Sequence, residues 1–142
     1  MEQFTAQLTG RRAVLGGSLA LGTGAALAAC GGGNKTEPVP EPSGTPTKAT
    51  TTADLKVGAS ASVAVKGDNY LLWRKDENTV YAYTAVCTHQ GCTVGLGKTD
   101  FKCPCHGSEF SHEDGSRVAG PAKKPLTRYA AAIQGKDVMI YL

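Results

Sequence analysis

The chain has 142 residues, 41% hydrophobic and only 6% aromatic, with 18 glycines and a formal charge of +3. That length admits one domain, and so much glycine favours turns over long helices. Fifteen Lys/Arg against twelve Asp/Glu, with no basic stretch interleaved with aromatics, argues against nucleic-acid binding.

Residues 1–29 read as an export signal. Arg11 and Arg12 precede an uncharged Ala, Gly and Leu stretch from Ala13 to Ala29, short for a permanent membrane span. Thr9-Gly10-Arg11-Arg12-Ala13-Val14-Leu15 resembles the twin-arginine export motif, although Ala13 replaces a usually bulkier residue. Leu27-Ala28-Ala29-Cys30 resembles a bacterial lipobox, in which cleavage before the cysteine leaves a thiol that carries diacylglycerol. A retained anchor helix is the other reading. Residues 30–53 carry four prolines, and Val39 is their one large aliphatic residue. Such a stretch buries too little to repay its ordering entropy, so a lipidated, semi-extended tether is expected. The folded domain is expected over 54–142, held on the outer side of the cell membrane.

Short strands follow. Ser62–Lys66 alternates through Val63 and Val65, and a turn at Gly67-Asp68-Asn69 leads into Tyr70–Trp73. Val80–Tyr83 and Thr99–Cys103 are further strands, each entering a cysteine-rich loop. Arg128–Ile133 and Asp137–Leu142, separated by Gln134-Gly135-Lys136, predict a C-terminal hairpin.

The two loops carry the chemistry. Cys87-Thr88-His89-Gln90-Gly91-Cys92 and Cys103-Pro104-Cys105-His106-Gly107-Ser108 hold four of the five cysteines and two of the three histidines. As possible ligands they read Cys-x-His, a 13-residue gap, then Cys-x-x-His, with one further cysteine in each loop. Two thiolates and two imidazoles suit a mixed-ligand [2Fe–2S] centre. A zinc site using Cys87, His89, Cys103 and His106, or a cysteine-richer subset, is a second reading. The single residue between Cys87 and His89 is tighter than zinc-finger spacing. A third is a disulfide-only domain, natural for an exported protein, but disulfides need no histidines at matching offsets.

These segments resemble the signature of the Rieske iron–sulfur family, and the resemblance covers residues 55–142. It implies an all-β fold: a base of antiparallel strands with an inserted rubredoxin-like cluster-binding subdomain from Cys87 to about Gly120. It assigns Cys87 and Cys103 to one iron, His89 and His106 to the other, and a disulfide to Cys92 and Cys105. It implies that Ser108 donates its hydroxyl to a bridging sulfide. Phe110 stands where quinol-oxidising members usually carry a tyrosine that donates to a ligand sulfur. Gly91 and Gly107 would let backbone N–H groups approach sulfur, and Gly120-Pro121-Ala122 matches the start of a loop covering the cluster. His112, among Glu113, Asp114 and Gly115, is expected to be an exposed loop residue.

Two neutral imidazoles in place of thiolates leave the oxidised core uncharged, which raises the reduction potential. The function implied is one-electron transfer as the iron–sulfur subunit of a cytochrome bc-type quinol-oxidising complex. His106 or His89 would meet quinol or a cytochrome b/c-type partner, and any enzyme activity would belong to the complex. A free-standing Rieske lipoprotein, or a small subunit of another exported oxidoreductase, is the alternative. A zinc- or disulfide-stabilised binding module is the non-redox one.

Overall fold

In the computed structural model, residues 38–142 are described, and their regular structure consists of eleven short strands in three antiparallel sheets. The central sheet contains β2 (Ser60–Val65), β3 (Asp68–Arg74), β4 (Val80–Thr84) and β9 (Arg128–Tyr129), in the order β2-β3-β4-β9. A second sheet, β1-β11-β10, joins β1 (Pro46–Thr51), β11 (Asp137–Tyr141) and β10 (Ala131–Gln134). The third contains β5 (Gly95–Leu96), β6 (Asp100–Lys102), β7 (Glu109–Ser111) and β8 (Arg117–Ala119), in chain order. It falls wholly between β4 and β9 in the sequence.

Successive side chains in a strand point to opposite faces. Leu71 and Leu72 of β3 are both fully buried, so the central sheet is covered on both faces. On one side Leu72, Ala82, Val80, Val138, Ile140 and Leu55 form a core against the β1-β11-β10 sheet. On the other, Leu71, Tyr83, Phe101, Phe110, Leu126 and Val94 form a second core that also takes in Cys87 and Cys103. Each core rests on a few large side chains, so the site and the fold share their stabilisation. The Arg74 guanidinium, only 6% exposed, ties the base together. It donates to the Leu55 and Thr52 carbonyls at 3.0 and 3.2 Å and pairs with Glu77 at 2.8 Å.

Three expectations are corrected. The stretch expected to be tether up to residue 53 contains β1, paired with β11 from Pro46↔Tyr141 to Thr51↔Asp137. Its β-branched threonines suit an extended strand, and without β1 the long β11 would leave an open edge. The run Arg128–Ile133 is not one strand. Tyr129 pairs with Ala82 of the central sheet, whereas Ala131 pairs with Ile140, so the chain changes sheets at Ala130. The β2–β3 turn lies at Lys66-Gly67, both with positive φ (53° and 93°), leaving Asp68 and Asn69 in β3. Two left-handed residues are what a tight hairpin turn requires, and glycine adopts the second without a Cβ clash.

Candidate metal centre

The two cysteine loops leave β4 and β6 and share one hydrogen-bond pattern. In the first, the Cys87 N–H donates to Cys92 O at 2.8 Å and the Gly91 N–H returns to Cys87 O at 2.8 Å. In the second, the Cys103 N–H donates to Ser108 O at 2.8 Å and the Gly107 N–H returns to Cys103 O at 3.1 Å. The loops are thus two copies of one tight knuckle, each with a cysteine in first position. Gly91 and Gly107 close them at φ +75° and +71°, and a Cβ on either would meet nothing within 4 Å. Their requirement is a left-handed backbone, not space.

Cys87 and Cys103 are free thiols, 3% and 1% exposed, packed in one core. Burial pushes the Cys87 thiol up, partly offset by the His89 N–H and reinforced by the Cys103 thiol. The rings of His89 and His106 meet edge to face, with centroids 4.8 Å apart. His106 is exposed and His89 half-buried, and the buried His89 Nδ1 has no hydrogen-bond partner. Cys92 and Cys105 are joined by a disulfide, with Cα atoms 6.5 Å apart, which links one knuckle to the other. The donor atoms of Cys92, Cys103 and Cys105 lie within 4.8 Å of one another, but the disulfide uses two of these sulfurs. Cys87 and Cys103 therefore remain as the free thiols of the two loops, beside the paired rings of His89 and His106 in sequence. Two buried free thiols and an orphaned buried imidazole nitrogen fit a soft metal centre.

A third loop seals this end. Ser108, fully buried, accepts the Ala122 N–H on its Oγ at 3.1 Å. Gly120 (φ +84°) lies so close that a Cβ there would sit 2.5 Å from Ser108 Cα and 2.6 Å from Gly107 O. The Thr88 hydroxyl donates to Lys124 O at 2.7 Å. The Gly120-Pro121-Ala122 loop is therefore fastened to both knuckles, with Pro121 itself exposed. Phe110 is fully buried in the same core as Cys87 and Cys103.

His112 corrects the sequence reading: it is 7% exposed. Its ring stacks on Trp73 at 4.7 Å and meets the Phe101 edge at 4.4 Å, while its carbonyl accepts the Tyr83 hydroxyl at 3.0 Å. The β7–β8 turn folds it inward, and the charged neighbours Glu113 and Asp114 gave no sign of that. Tyr83 and Trp73 also pack into this core without any motif to single them out, and Thr88 lies inside the first motif with no role read from it.

Comparison with known proteins decides the family. The model of the Rieske [2Fe-2S] domain matches residues 45–130. The chain belongs to that family. The iron–sulfur subunit of the cytochrome b6-f complex from the chloroplast of Bigelowiella natans is 46% identical over 67 residues, covering 44% of this chain and 26% of that protein. The corresponding subunit of Volvox carteri is 38% identical over 133 residues, covering 88% of this chain and 64% of that protein. The Rieske chain thus spans only part of these relatives. Among solved structures, the cyanobacterial plasma membrane Rieske protein PetC3 from Synechocystis PCC 6803 superposes with a TM-score of 0.60 at 29% identity. That match covers 68% of this chain and 99% of the other. A ferredoxin of Sphingomonas yanoikuyae B1, at 22% identity and a TM-score of 0.57 over 69% of this chain and 99% of its own, shares the fold.

Proposed function

We propose that this protein is an extracytoplasmic one-electron carrier, the iron–sulfur subunit of a cytochrome bc-type quinol-oxidising complex. The supporting observation is that two disulfide-linked loops of the matched domain each carry one buried free thiol and one of two histidine rings in contact with each other. Cys87 and Cys103 would hold one iron of a [2Fe–2S] cluster, and His89 and His106 the other. When bound, that cluster supplies reversible one-electron capacity at a raised potential. The chain's own residues do the rest. The core around Cys87 and Cys103 excludes water from the sulfurs, and the exposed His106 ring presents a proton-carrying edge to quinol or a redox partner. Ser108 has its Oγ occupied as an acceptor, which leaves its hydroxyl hydrogen to donate toward sulfide. The matching knuckles support a rubredoxin-like subdomain inserted between β4 and β9.

A free-standing Rieske protein at the membrane is the second reading, favoured by the match over 99% of the plasma membrane protein. Under either reading, residues 1–29 serve as a cleaved twin-arginine signal, Cys30 carries lipid, and residues 30–45 form the tether. The leader and Cys30 lie outside the described residues, and this part rests on the motifs alone. No described helix is long and apolar enough to cross a membrane. Diacylglycerol supplies the two chains that firm anchoring needs.

Aerobically purified protein is expected to carry about two irons and two acid-labile sulfides, with an EPR signal on dithionite reduction at lower average g than all-cysteine clusters. One tight zinc and no EPR signal would overturn the reading. Copurification with a cytochrome b separates the complex from the free-standing protein. Loss of membrane flotation in Cys30→Ala tests the anchor.

A further inference from the structure

Residues 38–142 carry twelve Lys/Arg and ten Asp/Glu, and Lys123 with Lys124 account for that excess. These two lysines lie at one place. The three segments forming the cluster end, residues 86–94, 103–108 and 120–127, contain no Asp or Glu. Elsewhere Lys102 pairs with Glu109, Lys75 with Glu113, and Lys48 with Asp137, while the exposed Lys56, Lys66, Lys98 and Lys136 each stand singly in the sequence. Lys123 and Lys124 are exposed, and neither takes part in the ion pairs of the described residues.

Their position is fixed by the backbone. The Thr88 hydroxyl holds Lys124 O at 2.7 Å, and Thr88 lies between Cys87 and His89. The Ser108 Oγ holds the Ala122 N–H next to Lys123. The backbone carrying these two cations is thus held against the segments that bear His89 and His106, segments that contain no acidic residue. We infer that this end is an electrostatic docking surface for an acidic redox protein, with Lys123 and Lys124 steering its carboxylates so that its cofactor approaches the His89/His106 edge. The inference rests on the electron-transfer reading above and adds the charge of the partner. A field of this kind acts on encounter rate and salt dependence more than on final affinity.

The test uses small oxidants of opposite charge on the reduced, lipidated protein in neutral detergent. Ferricyanide takes one electron and becomes ferrocyanide, while one ferrous ion of the protein becomes ferric. Cobalt(III) tris(phenanthroline) takes one electron likewise but carries positive charge. Stopped-flow rates across a range of ionic strength are compared in three proteins: wild type, Lys123→Gln/Lys124→Gln, and Lys56→Gln/Lys136→Gln. The last makes the same net-charge change on exposed lysines of the base. Voltammetry on each separates driving force from steering.

The tip variant is expected to lose about threefold or more of the low-salt ferricyanide rate, flatten its salt dependence and speed the cobalt reaction. The base variant should resemble wild type. Equal effects of the two double variants, or wild-type rates indifferent to salt, overturn the inference and leave the electron-transfer reading intact. A protein with no reducible centre overturns both.

Discussion

Ser108 and Ala122 are joined by a hydrogen bond in which the buried serine Oγ accepts the Ala122 N–H at 3.1 Å. One side chain thereby fastens the second knuckle to the covering loop while keeping its own proton to give. Ser108→Ala removes both functions. It orphans a buried N–H, which costs about 1–3 kcal/mol, and under the proposed cluster reading it should lower the reduction potential through loss of a donor to sulfide. Gly120→Ala tests the loop alone, because a Cβ 2.5 Å from Ser108 Cα must push the loop off. Thermal melts should fall in both variants, with the directly assigned potential change in Ser108→Ala. An unchanged potential in Ser108→Ala with an intact EPR signal would show that its proton points away from the cluster.

The Cys92–Cys105 disulfide separates restraint from ligation. Cys92→Ser should assemble a cluster that is then lost faster on warming or chelation, whereas Cys87→Ser should assemble none. A cross-link of sequence separation 13 is worth about 2–4 kcal/mol by restricting the unfolded chain. Iron analysis and the visible spectrum, followed over time, distinguish slow loss from absence. Equal failure of both variants to take up iron would place Cys92 among the ligands.

His112 makes stability depend on pH. Burial lowers its pKa, against the opposing influence of Asp100 and Glu113, so the folded ring favours the neutral form. Below its ordinary value of about 6.5 the unfolded chain therefore binds more protons than the folded one. This contribution is fully present above that pH and is lost as pH falls below it. His112→Phe keeps a ring against Trp73 and Phe101 but removes the titration. Urea midpoints followed by the fluorescence of Trp73, the chain's one tryptophan, should vary less between pH 7.5 and 5 in the variant than in wild type. Identical pH slopes would mean that the ring's protonation is not linked to folding.

The cysteine loops were the most legible part of the sequence, because ligand spacing and glycine placement are local. Most strands were legible for the same reason: Tyr70–Trp73 and Val80–Tyr83 carry enough apolar and β-branched residues to stand out. Long-range pairing was not. Nothing local in Thr47–Thr51 announces that it closes the edge of β11, and nothing in Arg128–Ile133 marks Ala130 as the point of changing sheets. The two-residue strand β5 is too short for any period to show, and the three-residue strands β7 and β8 are held by their neighbours. His112 was misread because charged neighbours report on the turn they form, while the ring's burial depends on Trp73 and Phe101, distant in sequence.

Phe110 offers a test of the potential of the proposed centre. It is fully buried, shares a core with Cys87 and Cys103, and pairs across the sheet with Phe101. Phe110→Tyr adds one hydroxyl to that interior. If the hydroxyl reaches a ligand sulfur, it stabilises electron density there and favours the reduced, more negative cluster. A hydrogen bond to a charged acceptor is worth about 1.5–3 kcal/mol, of which only the difference between redox states counts. At about 60 mV per 1.4 kcal/mol for one electron, the potential should rise by roughly 30–100 mV. The same bond satisfies the buried hydroxyl, so the melting temperature should hold. A hydroxyl that misses the sulfur leaves the potential where it was and costs about 1–3 kcal/mol as an unpaired buried group. Protein-film voltammetry and a thermal melt on the same preparation distinguish the two, and a destabilised protein at wild-type potential would mean that β7 directs residue 110 away from the thiols.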